Sequence, residues 1–105
     1  MAIAVDLDGV LAEYHRFEGN HIIGAPITKM WLRVISWLED GEEVWIFTAR
    51  GGTKEERAFI SKWLDYHGLP DLPITNIKLK DFQEIWDDRA VFVPRNSGEP
   101  AEYLE

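Results

Sequence analysis

The sequence of 105 residues contains no cysteine, which excludes disulfide bonds, thiolate zinc sites and a cysteine nucleophile. No apolar run approaches the roughly 18 residues that would suggest a membrane span. The first ten residues lack the basic start and long apolar core of a signal peptide. There is also no internal repeat, low-complexity segment or linker. We therefore expect one domain spanning residues 1–105, with no membrane partner and a cytoplasmic location.

Basic residues are scarce, because 11 Lys and Arg face 19 Asp and Glu and leave a net charge of −8. This balance argues against a general affinity for nucleic acid or anionic membranes. Carboxylates that hold a divalent cation can nevertheless create a locally positive field. The charge therefore leaves open a phosphorylated small molecule, or a nucleic-acid end, as the partner. Oligomerisation is left open as well.

Segments with strand and helix patterns alternate along the chain. Residues 2–7 and 44–47 are apolar runs typical of strands, and the 44–47 run predicts a strand covered on both faces. Helical patterns extend from Pro26 to a cap at Gly41, and from a capping box at Thr53 to about His67. Further short strands are predicted at 74–77, 84–86 and 90–93. The alternation predicts an α/β fold, a Rossmann-like three-layer sandwich with a mainly parallel sheet of about five strands.

Polar side chains follow four of the predicted strands. In a parallel α/β sheet, functional groups collect just beyond the carboxyl ends of the strands. Local turn formation can explain any one of these positions alone, but it explains the four together poorly. In chain order, the groups are Asp6 with Asp8, then Thr48, then Lys78 with Lys80, and finally Asp87 with Asp88.

The four aspartates at these strand ends predict a metal site. Asp6 and Asp8 are two residues apart, so in extended backbone both side chains point the same way. Carboxylates that are close together and partly desolvated repel each other unless a cation is present. A cluster of oxygen ligands without histidine or cysteine favours Mg²⁺ over zinc or copper.

The same segments resemble the four motifs of haloacid-dehalogenase-like phosphatases. DLDGV at 6–10 is similar to the first motif, and IFTAR at 46–50 is similar to the second. A lysine within NIKLK at 76–80 corresponds to the third, and WDDRA at 86–90 corresponds to the acidic fourth. The motifs occur in the family's order and span most of the chain. The layout looks closest to very small members found in phages and bacteria.

The resemblance implies a phosphatase rather than a dehalogenase, because dehalogenases of the family lack the second aspartate of the first motif. Asp6 is then the nucleophile that forms an aspartyl-phosphate. Asp8 is the general acid that protonates the leaving oxygen and the base that then activates water. Thr48 hydrogen-bonds the phosphoryl oxygens, and Lys78 neutralises charge on the nucleophile and the phosphate.

The resemblance also implies a ligand set for Mg²⁺ and for substrate. Lys80 is the alternative to Lys78. Asp88 is expected to bind the metal directly, and Asp87 through a water. The metal ligands are the Asp6 carboxylate, the Asp8 carbonyl and the pair Asp87 and Asp88; the substrate-binding residues are Thr48, Ala49, Arg50 and Lys78.

The chain has no room for a cap domain between Asp8 and Thr48. The loop of residues 12–25, a neighbouring subunit or a large substrate must then cover the site. Two other functions stay open on the same fold. One is a phospho-acceptor signalling domain, which usually places its acidic pair first and its acceptor aspartate later. The other is a binding module without catalysis.

Overall fold

The computed structural model describes residues 2–19 and 21–103 of the chain. Four strands, two α-helices and two short 3₁₀-helices make up its regular structure in this part of the chain. In chain order they are β1 (Ala2–Val5), α1 (Thr28–Glu39), β2 (Glu43–Phe47), a 3₁₀-helix (Ala49–Gly51), α2 (Lys54–Tyr66), β3 (Ile74–Thr75), β4 (Phe82–Trp86) and a second 3₁₀-helix (Ala101–Tyr103).

The four strands form one sheet in the order β3-β2-β1-β4, and every neighbouring pair is parallel. β1 lies inside the sheet, where Val5 pairs with Ile46 of β2 and with Trp86 of β4. The carboxyl ends of these three strands are therefore level with one another. The α/β fold with a parallel sheet is confirmed, and the aligned strand ends determine where the polar residues meet.

The expectation of about five strands is wrong, because the described residues form four. Residues 90–93 were expected to form a strand, but they pair with no other strand. Val91 and Phe92 are about two-thirds exposed, at 68% and 69%. The chain turns immediately after β4, where Asp87 Oδ1 accepts hydrogen bonds from the backbone N–H groups of Arg89 and Ala90. This turn ends the extended backbone that β4 began.

Both helices pack on the same face of the sheet, so the described structure has two layers rather than the expected three. The order β1, β2, β3 moves in one direction across the sheet, and right-handed crossovers then place α1 and α2 on one side. A single core agrees with this. It contains Ile3, Val5, Val44 and Ile46 from the sheet, Met30 and Val34 from α1, and Ile60, Trp63 and Leu64 from α2.

Burial along β2 alternates, which corrects the expectation that this strand is fully covered on both faces. Val44 and Ile46 are buried beneath the helices, whereas Trp45 and Phe47 on the opposite face are half-buried. Phe82 of β4 packs with both of these aromatic residues, at ring-centroid distances of 5.8 and 5.7 Å. This aromatic group shields the second face of the sheet without a helix.

The helix boundaries follow local signals closely. Thr53 caps α2 by accepting a hydrogen bond from the Glu56 N–H at 3.1 Å, which confirms the predicted capping box position. α1 begins two residues later than predicted, at Thr28, because Pro26 pairs with Ala12 as an isolated β-bridge. Within the described chain, no helix is long and apolar enough to cross a membrane.

Candidate active site

Asp6 meets the acidic pair of β4 because β1 and β4 are parallel and in register. Val5 pairs with Trp86, and the Asp6 N–H continues the ladder by donating to the Trp86 carbonyl at 2.9 Å. The next residues beyond this pairing are Asp6 on one side and Asp87 with Asp88 on the other. Asp6 and Asp87, which are 81 positions apart in the sequence, therefore place their carboxylates together.

The carboxylates of Asp6, Asp87 and Asp88 form a cluster in which one oxygen of each lies within 4.8 Å of the others. Asp6 is half-buried, and the other two are exposed. Three carboxylate oxygens at this separation could hold a metal ion. The Asp8 carboxylate does not belong to the cluster, which is compatible with its expected contribution through the backbone carbonyl.

The environment of Asp6 disfavours its ionised form. Desolvation by burial is the largest cause and raises its pKa from 3.8 to about 6. The Leu7 N–H opposes this shift, because it donates to Asp6 Oδ1 at 2.8 Å and favours the anion. Repulsion from Asp87, Asp88 and Asp8 adds to the increase. A cation at this position would relieve both the desolvation and the repulsion.

Gly9 allows Asp88 to approach the first strand end. Its φ of +83° is a conformation that side chains rarely adopt, and a Cβ atom there would lie 2.5 Å from Asp88 Oδ2. The turn therefore favours glycine after Asp8, and a side chain there would displace the Asp88 carboxylate from its position. Asp87 is oriented separately, because its Oδ1 accepts hydrogen bonds from the backbone N–H groups of Arg89 and Ala90.

Asp8 has a different partner from Asp6. Its Oδ2 forms an ion pair with Arg50 Nε at 2.9 Å, and both side chains are largely shielded from solvent. Its other oxygen, Oδ1, is buried and has no hydrogen-bond partner among the described residues. Burial raises the Asp8 pKa, the Arg50 guanidinium lowers it, and Asp88 adds repulsion, with a net increase. Asp8 is thus a restrained carboxylate with one free oxygen.

Thr48 follows β2 and, like Arg50, is a buried polar residue of the site, at 4% exposure. Its N–H donates to the Thr75 carbonyl at 2.9 Å, which ties it to the neighbouring strand. Its hydroxyl oxygen accepts from the Arg50 N–H at 3.2 Å and caps the short Ala49–Gly51 helix. This geometry holds the hydroxyl at the same strand-end edge as Asp6.

An open cavity of about 530 Å³ unites these groups. Apart from the lysines, all seven residues predicted for the site line this cavity: Asp6, Asp8, Thr48, Ala49, Arg50, Asp87 and Asp88. The remaining lining residues are Tyr14, Phe17, Phe47, Glu56, Asn76 and Arg89.

The structure does not bring Lys78 or Lys80 into this lining, and both are exposed. β3 ends at Thr75, two residues before the predicted end, so the first residue beyond the strand is Asn76. The strand-end rule applied to that boundary would have found Asn76. The cations that do line the cavity are Arg50 and Arg89.

Comparison of the chain with protein-family models, with curated proteins and with solved structures found no match.

Proposed function

We propose that this protein is a Mg²⁺-dependent phosphatase of the haloacid-dehalogenase-like type, which hydrolyses a phosphate monoester through an aspartyl-phosphate on Asp6. The observation that supports the proposal most is the convergence of two kinds of carboxylate on one cavity. Asp6 lies in a cluster suited to a cation, and Asp8 lies beside it with a free oxygen. The parallel sheet with its functional edge is consistent with a Rossmann-like core.

The first half of the reaction transfers the phosphoryl group to the protein. An Asp6 carboxylate oxygen forms a bond to phosphorus, and the bond from phosphorus to the leaving oxygen breaks. The Leu7 N–H, which donates to Asp6 Oδ1, orients the attacking carboxylate. Asp8, protonated at its free Oδ1, gives its proton to the leaving oxygen, so that an alcohol departs rather than an alkoxide.

The second half returns the protein to its starting state. Asp8 accepts a proton from water, and the water oxygen bonds to phosphorus while the bond to Asp6 breaks. Inorganic phosphate leaves, and Asp8 is protonated again. Two carboxylates with different neighbours are needed, because one must attack as an anion while the other transfers a proton.

The remaining groups stabilise charge on the phosphate. Thr48 would donate its hydroxyl hydrogen to a phosphoryl oxygen, a role supported by its position in the cavity lining, and Ala49 lies beside it at the start of the 3₁₀-helix. Mg²⁺ held by Asp6, Asp87 and Asp88 would supply electrostatic neutralisation of the phosphate and of the developing charge. The role of Lys78 stays a prediction of the sequence, and Arg89 is a cation already in the lining.

The substrate class that we propose is a phosphorylated small molecule, with a nucleic-acid end as the alternative. The cavity of about 530 Å³ lies within the range of small-molecule sites. The cytoplasmic location stays a prediction of the sequence.

Phosphate release from a panel of phosphomonoesters tests the proposal. We expect release with Mg²⁺, loss with EDTA, and loss in Asp6→Asn. A matched control is Asp65→Asn, which changes an exposed aspartate of α2. Stable phosphorylation of Asp6 without turnover would instead indicate a phospho-acceptor domain. Mg²⁺ binding without phosphorylation or turnover on any ester would favour a binding module.

A further inference from the structure

Arg50 connects the proposed acid–base residue to the loop that covers it. The side chain is more than nine-tenths buried, at 8% exposure, which is unusual for arginine. Its Nε pairs with Asp8 Oδ2 at 2.9 Å, and its Nη1 donates to the Ile22 carbonyl at 2.6 Å. One guanidinium therefore bridges the strand-end site and a loop residue 28 positions away.

The loop in question, residues 12–25, is closed at its base by other contacts. The Glu13 N–H donates to the Ala25 carbonyl at 2.8 Å, and Trp63 Nε1 of α2 donates to the Gly24 carbonyl at 2.9 Å. A Cβ atom at Gly24 would lie 2.1 Å from the Glu13 carbonyl oxygen, so the two sides of the loop are in direct contact. These contacts fix the base but not the outer part of the loop.

The outer part of the loop carries the aromatic residues of the cavity. Tyr14 and Phe17 both line the cavity, although they are 43% and 61% exposed. The Arg50 guanidinium carbon lies 5.7 Å from the centroid of the Phe17 ring, within the range of a cation–π contact. Arg50 thus contacts the outer loop at two places, the Ile22 carbonyl and the Phe17 ring.

We propose that Arg50 is a positioning residue that fastens the 12–25 loop over the active site and orients Asp8 at the same time. This inference rests on the proposed phosphatase function. The loop then performs the covering task of a cap, with Tyr14 and Phe17 held at the mouth before substrate arrives. Through the same guanidinium, Asp8 is held by Oδ2, and its Oδ1 is left without a hydrogen-bond partner among the described residues.

The geometry requires arginine rather than lysine. A planar guanidinium directs donors to two partners in fixed directions, whereas an ammonium is a compact charge on a flexible stem. Lysine at position 50 should keep the attraction to Asp8, because that contact is an ion pair in a shielded environment. Lysine should lose the hydrogen bond to the Ile22 carbonyl. Arg50→Lys therefore separates fastening of the loop from orientation of Asp8, and Arg50→Gln removes both.

Hydrogen exchange of the protein without substrate is the first test. We expect amides in the outer loop, residues 14–22, to exchange about tenfold faster in both Arg50→Lys and Arg50→Gln than in the wild type. The matched control is Arg57→Gln. Arg57 Nη1 also donates to a backbone carbonyl, that of Gly51 at 2.9 Å, but it does not reach the loop. Unchanged exchange in Arg50→Lys, or equal changes in the control, would overturn the proposal.

Steady-state kinetics on the preferred phosphomonoester is the second test. Arg50→Lys should raise KM by about tenfold with kcat within about threefold, because the loop loosens while Asp8 stays oriented. Arg50→Gln should also lower kcat by about tenfold or more, with partial recovery on addition of guanidinium ion. Parallel losses of kcat in the two variants would contradict separate roles. A wild type without turnover would defeat the phosphatase proposal, while hydrogen exchange would still decide whether Arg50 fastens the loop.

Discussion

Asp6 and Asp8 are two residues apart on the same strand end, yet their surroundings differ. Asp6 faces other acids, because Asp87 and Asp88 lie on its side of the cavity and their charges repel its ionised form. Asp8 faces Arg50, which in turn contacts the loop, and its side chain is largely shielded from solvent. We call these the acidic half and the paired half of the site.

In the proposed phosphatase, this difference would allow one short motif to serve two tasks. The acidic half is open and repulsive, which suits a cation that arrives from solvent and that can then attract a phosphate. The paired half is enclosed and already neutralised, which suits a group that must keep its orientation while a proton moves. Environment rather than residue type therefore separates the two roles.

The largest expected effect comes from replacing the two aspartates separately. Asp6→Asn should lower kcat by about 10³-fold or more, because the nucleophile is lost, and no phosphorylated protein should form. Asp8→Asn should instead accumulate phosphorylated Asp6 from an activated aryl ester, because the leaving group then needs no acid but water still needs a base. Intact-protein mass spectrometry after acid quenching distinguishes the two. Accumulation in both variants would place the nucleophile elsewhere.

Metal binding should distinguish the halves next. Mg²⁺ at about 100 times its dissociation constant stabilises a folded protein by about 2.7 kcal/mol, which corresponds to a rise in Tm of roughly 10 °C for a domain of this size. We expect this rise in the wild type and a smaller one in Asp88→Asn. Asp65→Asn, on the exposed side of α2, should behave like the wild type. Thermal melts with and without Mg²⁺ provide the measurement. A Tm that does not respond to Mg²⁺ in the wild type would contradict a cation site in the acidic half.

Without divalent cations, the free energy of unfolding should depend on pH, because ionised Asp6 destabilises the folded protein. The folded protein binds the Asp6 proton more tightly than the unfolded chain, since burial raises the pKa from 3.8 to about 6. Ionisation of Asp6 therefore destabilises the fold by an amount that is absent below about pH 4, grows up to about pH 6 and is complete above it.

Asp6→Asn removes this penalty. After allowance for solvent screening, the variant should be more stable than the wild type by on the order of 1 kcal/mol at pH 7, with the gain disappearing near pH 4. Urea unfolding at a series of pH values measures the difference. Saturating Mg²⁺ should reduce or reverse it, because the cation stabilises only the wild type strongly. If the stability gain of Asp6→Asn does not change with pH, ionisation of Asp6 is not the source of the penalty.

The sequence was sufficient to predict the acidic half. Asp6 and Asp87 follow apolar runs long enough to be identified as strands, and parallel register brings such strand ends together. The paired half was not predictable in the same way. Asp8 and Arg50 are 42 positions apart, and their contact depends on the turn at Ala49–Gly51, which points the arginine inward. Sequence periodicity carries no information about that direction.

The second face of the sheet and the fifth strand were mispredicted for a related reason. An apolar run predicts burial but does not tell which layer provides it. Trp45 and Phe47 are covered partly by another aromatic residue, Phe82, rather than by a helix. The 90–93 segment is apolar enough for a strand. However, the hydrogen bonds that Asp87 accepts from Arg89 and Ala90 turn the backbone away from the direction of β4.

The smallest expected effect concerns the edge of the cavity next to β3. That strand has two residues, and its end was predicted two positions late, so the strand-end rule selected Lys78 instead of Asn76. Since Asn76 lines the cavity and Lys78 does not, Asn76→Ala should lower kcat/KM by about tenfold, and Lys78→Ala by less than about threefold. Lys80→Ala, also outside the lining, is the matched control. A larger loss of kcat/KM in Lys78→Ala than in Asn76→Ala would mean that residues 76–80 rearrange when substrate binds. Lys78 would then be the cation that acts in the acidic half.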